Sequence, residues 1–167
     1  VKSSIGKDDA YPTYGPSDVV SNNGYYSGAT DVDIGDAELV YELLDMVNTA
    51  RAEEGLPALK WTTFDQAEEY TLLRAHELAS NFSHDRPNGS YNILGEVCTK
   101  GPTSSVTAYN NWMNSPAHKE ILMDPGHEYM IAARSGNRWI ICLGLDADDL
   151  TLNGYAVNNY TRYTIQN

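Results

Sequence analysis

Two apolar segments near the C-terminal end of the chain lie so close together that they constrain its fold more than any other feature. The first reads EYMIAAR and ends at Arg134, and the second reads RWIICLGL and begins at Arg138. Only Ser135, Gly136 and Asn137 separate them, and Gly136 can take the positive φ that a tight connection requires. The sequence therefore predicts a β-hairpin, beside which the short segment NILGEVC is expected to pair.

The first half of the chain has helical periodicity instead. Apolar residues recur at steps of three and four between Leu39 and Ala50. Asp36 is the predicted N-cap of this helix, and Gly55 and Pro57 are expected to end it.

Three further helices are predicted downstream. The second runs over residues 63–81, so that His84 follows its exit, and the third runs over residues 103–113. A short fourth helix begins with Ser115 as N-cap and Pro116 at the first helical position, where a missing N–H costs least. Because helices cluster early and strands late, the pattern favours an α+β layered domain over alternating βαβ units.

The predicted domain spans residues 36–167, and residues 1–35 are predicted to be a tether or an extended segment. These first residues are rich in Gly, Ser, Asp, Asn and Tyr and have no sustained periodicity. A chain of 167 residues, 41% of them apolar, is long enough for one domain with a substantial core.

The net charge of −12, from 23 acidic and 11 basic residues, limits the partners of the chain. It opposes binding to nucleic acid and to anionic membranes, and it is compatible with a cationic partner or a divalent metal. No apolar run approaches the roughly 18 residues that a membrane span needs. The chain begins at Val1 without a basic-then-apolar segment, and we interpret it as a mature or a trimmed fragment from which any signal peptide would have been removed.

Two histidines and a glutamate are the candidate site residues: His84 at the predicted helix exit, Glu96 in the NILGEVC segment, and His118 on the short fourth helix. If the helices pack on one sheet, these side chains converge. They then form either a divalent-metal set with open positions for water or an arrangement in which Glu96 orients a histidine as general base. By itself, His84 is more typical of a helix-terminal histidine that contacts the last carbonyls.

Cys98 and Cys142 allow a single intramolecular bridge. Neither belongs to a CxxC pair, which argues against a structural zinc site or a thioredoxin-type motif. The alternatives are a disulfide that closes a long loop and two buried free thiols.

Four segments follow one another in a fixed order: MVNTARAEEGLPALKW, FSHDRPNG, the dipeptide Gly95-Glu96, and AYNNWMNSPAHKEIL. In order and spacing they resemble the motifs of the CAP superfamily, which comprises the cysteine-rich secretory, antigen 5 and pathogenesis-related 1 proteins that share the SCP domain. The resemblance covers about residues 39–145 and is greatest to the bacterial extracellular branch. It implies an α-β-α sandwich with a central, mainly antiparallel sheet and a cleft lined, in this chain, by His84, Glu96 and His118.

The surroundings of these three residues depart from the family pattern. Some members carry a second glutamate after the tryptophan, where this chain reads WMNSPAH. Val97 replaces the asparagine of the GEN motif, and Ala117 replaces the glycine before the second histidine.

The resemblance implies a secreted or cell-surface binding module of bacterial type. Its cleft, formed by His84, Glu96 and His118, would hold a divalent metal such as zinc or a small ligand, and its partner would be a small molecule or an extracellular or cell-wall component. One alternative is a metal-assisted, peptidase-like hydrolase in which the two histidines bind the metal and Glu96 is the general base. Another is a structural domain in which the three residues form only a hydrogen-bonded polar cluster.

Overall fold

The computed structural model describes residues 34–61, 65–85 and 95–144. In chain order the elements are β1 (Glu38–Leu39), α1 (Glu42–Glu53), β2 (Lys60–Trp61), α2 (Asp65–Ser80), β3 (Gly95–Lys100), α3 (Ser105–Met113), α4 (Pro116–Leu122), β4 (Tyr129–Ser135) and β5 (Arg138–Gly144). The predicted tether is not tested, because residues 1–33 lie outside the described part. The helix start predicted at residue 63 and the C-terminal segment 145–167 lie outside it too.

The predicted hairpin is confirmed and forms the centre of the sheet. β4 and β5 pair antiparallel along their whole length, and Ser135 is opposite Arg138. The connection is therefore the two residues Gly136 and Asn137 rather than the three that the sequence predicted. Gly136 has a φ of 60°, as the tight turn requires.

The other three strands extend the sheet on both sides of the hairpin. β3 pairs antiparallel with β5, as predicted for the NILGEVC segment, and Glu96 lies opposite Cys142. At the other edge, β1 pairs antiparallel and β2 parallel with different parts of β4. The order β1-β4-β5-β3, with β2 beside β4, gives the mainly antiparallel sheet that was expected.

The first helix begins later than predicted. Leu39 belongs to β1, and the N–H of Val40 donates to the carbonyl of Ala132 in β4 at 2.9 Å. The N-cap position is Tyr41 rather than Asp36, and its side chain makes no capping hydrogen bond. Apolar spacing alone does not reveal this boundary. The backbone groups just before the helix pair with the sheet, so they are not available for an earlier helical turn.

Helices cover both faces of the sheet, which confirms the predicted α-β-α sandwich. Alternate residues of a strand point to opposite faces, so Glu96 and Thr99 point to different sides of β3. Glu96 bonds to Arg74 of α2, whereas Thr99 accepts a hydrogen bond from Asn111 of α3 at 3.3 Å. α3 in turn packs against α1 and α4.

This double coverage explains the composition of the hairpin strands. Residues 139–144 of β5 are all buried, so both faces of the strand need apolar side chains. The result is a continuous apolar run in place of a polar and apolar alternation. Within the described residues, no helix is long and apolar enough to cross a bilayer.

Candidate functional site

The carboxylate of Glu96 lies at the centre of the candidate site and is held by a buried arginine. Arg74 Nε donates to Glu96 Oε1 at 3.0 Å, and Arg74 Nη2 donates to Glu96 Oε2 at 2.8 Å. This bidentate geometry fixes the plane of the carboxylate as well as its position. Both side chains are almost fully buried, so the pair is an internal salt bridge between α2 and β3.

Arg74 makes two further contacts that extend the cluster along α2. Its Nη1 donates to Glu77 Oε1 at 2.7 Å, and its Nη2 donates to the carbonyl of Ser83 at 3.1 Å. Burial opposes the charge of Arg74, but the hydrogen bonds with Glu96 and the charges of Glu96 and Glu77 outweigh it and raise the pKa of Arg74. The arginine thus stays charged and links the end of α2 to β3.

The structure brings His84 and Glu96 together, as the sequence predicted. His84 Nδ1 lies 2.7 Å from Glu96 Oε2. The contact with Glu96 raises the pKa of His84, and partial burial opposes that increase. The His84 side chain is 64% exposed, so its ring bridges the buried carboxylate and the solvent.

His118 lies on α4 and makes its hydrogen bond elsewhere. Its Nδ1 is 2.9 Å from Ser115 Oγ, the predicted N-cap three residues earlier. The contact joins two side chains three residues apart, and the Ser115 side chain makes no capping hydrogen bond to the main chain of α4. Burial, and then the nearby charge of His84, lower the pKa of His118.

The three predicted site residues are therefore not equivalent. His84 and Glu96 are in direct contact, whereas His118 is close enough to respond to the charge of His84 but bonds to Ser115. Their role as metal or small-ligand binding residues stays a prediction.

Cys98 belongs to the same cluster, which the sequence did not indicate. Its Sγ lies 3.3 Å from Glu96 Oε2. The thiol and carboxylate meet because residues two apart on β3 share a face of the sheet. Burial, followed by the negative charge of Glu96, raises the pKa of Cys98 well above its usual value. One nitrogen, one oxygen and one sulfur, from His84, Glu96 and Cys98, lie within 4.8 Å of one another.

Cys142 lies opposite Glu96 on β5 and is buried, as Cys98 is. The two cysteines occupy diagonal positions on the same face of the sheet, since Cys98 pairs with Ile140. Both are free thiols, which is the second of the two alternatives left open by the sequence.

A second buried arginine positions the helix that carries His118. Arg51 Nε donates to the carbonyl of Pro57 at 2.8 Å, and its Nη1 donates to the carbonyls of Leu122 and Asp124 at 2.9 Å each. These contacts join α1 to the end of α4. Burial lowers the pKa of Arg51, and the charge of Asp124 partly offsets that effect.

Neither arginine was identified from the sequence, although one signal was present. The apolar stripe of α2 steps through Ala67, Thr71 and Leu78, and Arg74 lies at the same three- and four-residue spacing. A charged residue on a buried stripe requires hydrogen-bond partners or a partner of opposite charge. Glu77, one turn along the same helix, was the visible partner, whereas Glu96 could be found only from the packing.

Comparisons with known proteins agree with this architecture. A family model described as the cysteine-rich secretory protein family, CAP, matches residues 44–138, which is more than half of the chain. No curated protein sequence matches.

Among solved structures, the fold is similar to an extracellular protein containing an SCP domain from Bacillus anthracis, with a TM-score of 0.56 and 20% identity over 62% of this chain. The match covers 39% of that protein, so this chain corresponds to about two fifths of its length. An outer surface protein from Borrelia burgdorferi has a TM-score of 0.53 and 20% identity over 62% of this chain, and 90% of it is covered. Given the extent of the family match and the shared fold, the chain belongs to the CAP, or cysteine-rich secretory protein, family.

Proposed function

We propose that this chain is an extracellular CAP-type binding module whose polar cleft, formed by His84, Glu96 and His118, holds a small ligand or a divalent cation without catalysing a reaction. The proposal rests on the hydrogen bonds of Glu96: both of its carboxylate oxygens accept from the buried Arg74. The site presents an anchored carboxylate and an exposed imidazole, which is an arrangement suited to recognition.

The same observation argues against the hydrolase alternative. A general base must take a proton from a water or nucleophile within hydrogen-bond reach. Glu96 Oε2 already meets Arg74, His84 and Cys98, and Oε1 meets Arg74. The Ser115–His118 contact resembles a nucleophile and base pair, but within the described residues no carboxylate contacts His118 to orient it as a base.

An extracellular location is supported by two structural neighbours, which are described as an extracellular protein and an outer surface protein. The net charge of −12 favours cationic over anionic partners. We therefore place the chain on the cell surface or in the medium, with a small ligand or a cell-wall component as its partner.

Binding and turnover measured on the same preparations test this proposal. Calorimetric titration of divalent ions into the metal-free protein should show binding that weakens in His84→Ala and His118→Ala and persists in the control Lys119→Ala, an exposed position beside His118 on α4. If no divalent ion binds, a small-ligand library screened by ligand-observed NMR should give hits that the two histidine variants lose.

A panel of peptides and esters, assayed with and without zinc, should show no turnover. Turnover that disappears in Glu96→Gln would contradict the proposal and support the hydrolase. Failure to bind any ion or library member would instead favour a purely structural domain.

A further inference from the structure

Two basic side chains at the hairpin end of the sheet have no acidic partner. Besides the two buried arginines, five lysines and arginines lie within the described residues. Three of the five have a glutamate carboxylate at 3.7–3.9 Å: Lys60, Lys119 and Arg134. The other two, Lys100 of β3 and Arg138 of β5, have no carboxylate partner in this part of the chain. In a protein with 23 acidic and 11 basic residues, two such cations require an explanation.

Lys100 and Arg138 are also each other's neighbours across the sheet. They are paired residues of the β3–β5 ladder, so their side chains lie on the same face. Directly opposite residues have Cβ atoms about 4.5–5.5 Å apart, and like charges at this spacing destabilise a sheet. The fold therefore holds two positive charges together without a counter-charge, which favours an anion that comes from outside the chain.

The groups around the pair position it without neutralising it. Lys100 Nζ lies 5.4 Å from the centroid of the Phe82 ring, in a cation–π contact that leaves its charge unchanged. Arg138 Nη1 donates to the neutral amide oxygen of Asn137, and Arg138 Nε has no acceptor within the described residues. Phe82 follows the end of α2, whose carbonyls contribute only about half a negative charge. Most of the charge of the pair thus stays unbalanced.

The charge of the pair selects the kind of anion. Lys100 is exposed and Arg138 is half-buried, so both are within reach of a ligand. Arginine offers a planar set of N–H donors to an oxyanion, and lysine adds a compact positive charge. A phosphate monoester carries a charge of about −1.5 to −2 at neutral pH, which matches two cations. A carboxylate or a phosphodiester carries a single negative charge and leaves one cation unpaired.

We propose that Lys100 and Arg138 form a binding site for the phosphate group of a small phosphate monoester. The inference goes beyond the proposed function, because this site is separate from the cleft. Lys100 is four residues from Glu96 on β3, which places the two residues about 13 Å apart. The net charge of −12 opposes anions elsewhere on the molecule and so restricts phosphate binding to this pair.

NMR titration of the full, nitrogen-15-labelled chain tests the site with two matched probes, monomethyl phosphate and dimethyl phosphate. The titrations are carried out at constant ionic strength and about pH 8, where the monoester is a dianion. Monomethyl phosphate should shift the amide signals of Lys100 and Arg138 to saturation. It should bind at least about fivefold more tightly than dimethyl phosphate, since it gains one additional exposed ion pair. This comparison uses the unmutated protein and does not depend on the folding of any variant.

Variants locate the binding site. Lys100→Gln and Arg138→Gln should each weaken the binding of monomethyl phosphate at least about fivefold. The matched control is Lys119→Gln, which removes a lysine that already has Glu54 as its partner and should bind as the wild type does. Circular dichroism establishes that each variant is folded.

Equal affinity for the two phosphates, or shifts that do not saturate, would overturn the inference. Binding that is unchanged in both Lys100→Gln and Arg138→Gln would overturn it as well. Binding that is lost in His84→Ala and kept in Lys100→Gln would assign the anion to the cleft instead.

Discussion

Two fully buried arginines, Arg51 of α1 and Arg74 of α2, illustrate two uses of the same side chain in one domain. Arg51 donates to main-chain carbonyls, whereas Arg74 donates to the carboxylates of Glu77 and Glu96. Their pKa values shift in opposite directions: burial lowers that of Arg51, while the two carboxylates raise that of Arg74.

This difference in contacts distinguishes an arginine that holds the scaffold of the fold, Arg51, from one that builds the candidate site, Arg74. Carbonyl groups accept hydrogen bonds from Nε and Nη1 of Arg51 and join α1 to the end of α4, without placing another formal charge in direct contact with the guanidinium. The contacts of Arg74 build a charged cluster whose outer member, His84, reaches solvent. We therefore expect substitutions near Arg51 to change stability alone, and substitutions near Arg74 to change stability, pH response and binding together.

The largest effect should follow from Arg74→Met. Removing the guanidinium leaves Glu77 and Glu96 buried without their shared cation, and breaking a buried salt bridge in this way costs about 3–5 kcal/mol. Urea unfolding followed by fluorescence measures the loss. A loss below about 1 kcal/mol would contradict the view that the carboxylates depend on Arg74.

Neutralising the stranded acids provides the control. The triple variant Arg74→Met, Glu77→Gln, Glu96→Gln should recover a substantial part of the loss, because amides are less costly to bury than carboxylates that have lost the charge of Arg74. Equal instability of the single and triple variants would instead assign the effect to lost packing of the arginine stem.

The contrast between the two arginines also shows which parts of the structure could be predicted from the sequence alone. The hairpin, its partner strand β3 and the starts of α3 and α4 were predicted, because turn residues, apolar runs and caps are local signals. The short strands β1 and β2 were not predicted, since pairs of residues such as Lys60 and Trp61 are held by their neighbour β4 rather than by propensity.

The candidate site divides in the same way. The proximity of His84 and Glu96 was predicted from ordered motifs, but their partners Arg74 and Cys98 lie on a helix stripe and a strand face that meet only after packing. The hydrogen bond of His118 to Ser115 was missed for another reason: it is local, but Ser115 had been assigned to a main-chain cap.

The second largest loss of stability should follow from Arg51→Met. The substitution removes three hydrogen bonds from a charged donor to the carbonyls of Pro57, Leu122 and Asp124, at a cost of roughly 2–3 kcal/mol. Urea unfolding measures it, and cation binding in the folded variant should match the wild type, because these contacts lie outside the His84 cluster. Loss of binding in a folded Arg51→Met protein would contradict the separation of scaffold from site.

Asn48→Ala should produce a smaller loss on the scaffold side. Asn48 Nδ2 donates to the carbonyl of Leu59 at 2.9 Å, and the N–H of Leu59 donates to Asn48 Oδ1 at 2.7 Å. Loss of both bonds should cost about 1–2 kcal/mol in urea unfolding. Thr49→Ala is the matched control on the next residue, because its bond to Asp45 is exposed; equal losses in the two variants would show that the Leu59 contact is not stabilising.

The smallest effect is the pH dependence that should distinguish the two regions. The pKa of His84 is raised above 6.5 by Glu96, so the stabilising contact is fully present below about pH 6.5 and is lost as the pH rises through the folded pKa. Because the side chain is 64% exposed, solvent screening limits the contribution to roughly a few tenths of a kcal/mol.

Unfolding free energies of the wild type and His84→Gln at about pH 5.5 and pH 8.5 measure this contribution. The advantage of the wild type should be greater at the lower pH, since there His84 carries the charge that Glu96 attracts, even though the charge of Arg74 opposes it. NMR titration should place the pKa of His84 above 6.5 and that of His118 below it, because burial and the charge of His84 disfavour a second imidazolium. The deficit of Asn48→Ala should be the same at both pH values. If the loss of unfolding free energy in His84→Gln is constant or grows toward high pH, the two regions do not differ in their electrostatic response. They would then differ only in their contacts.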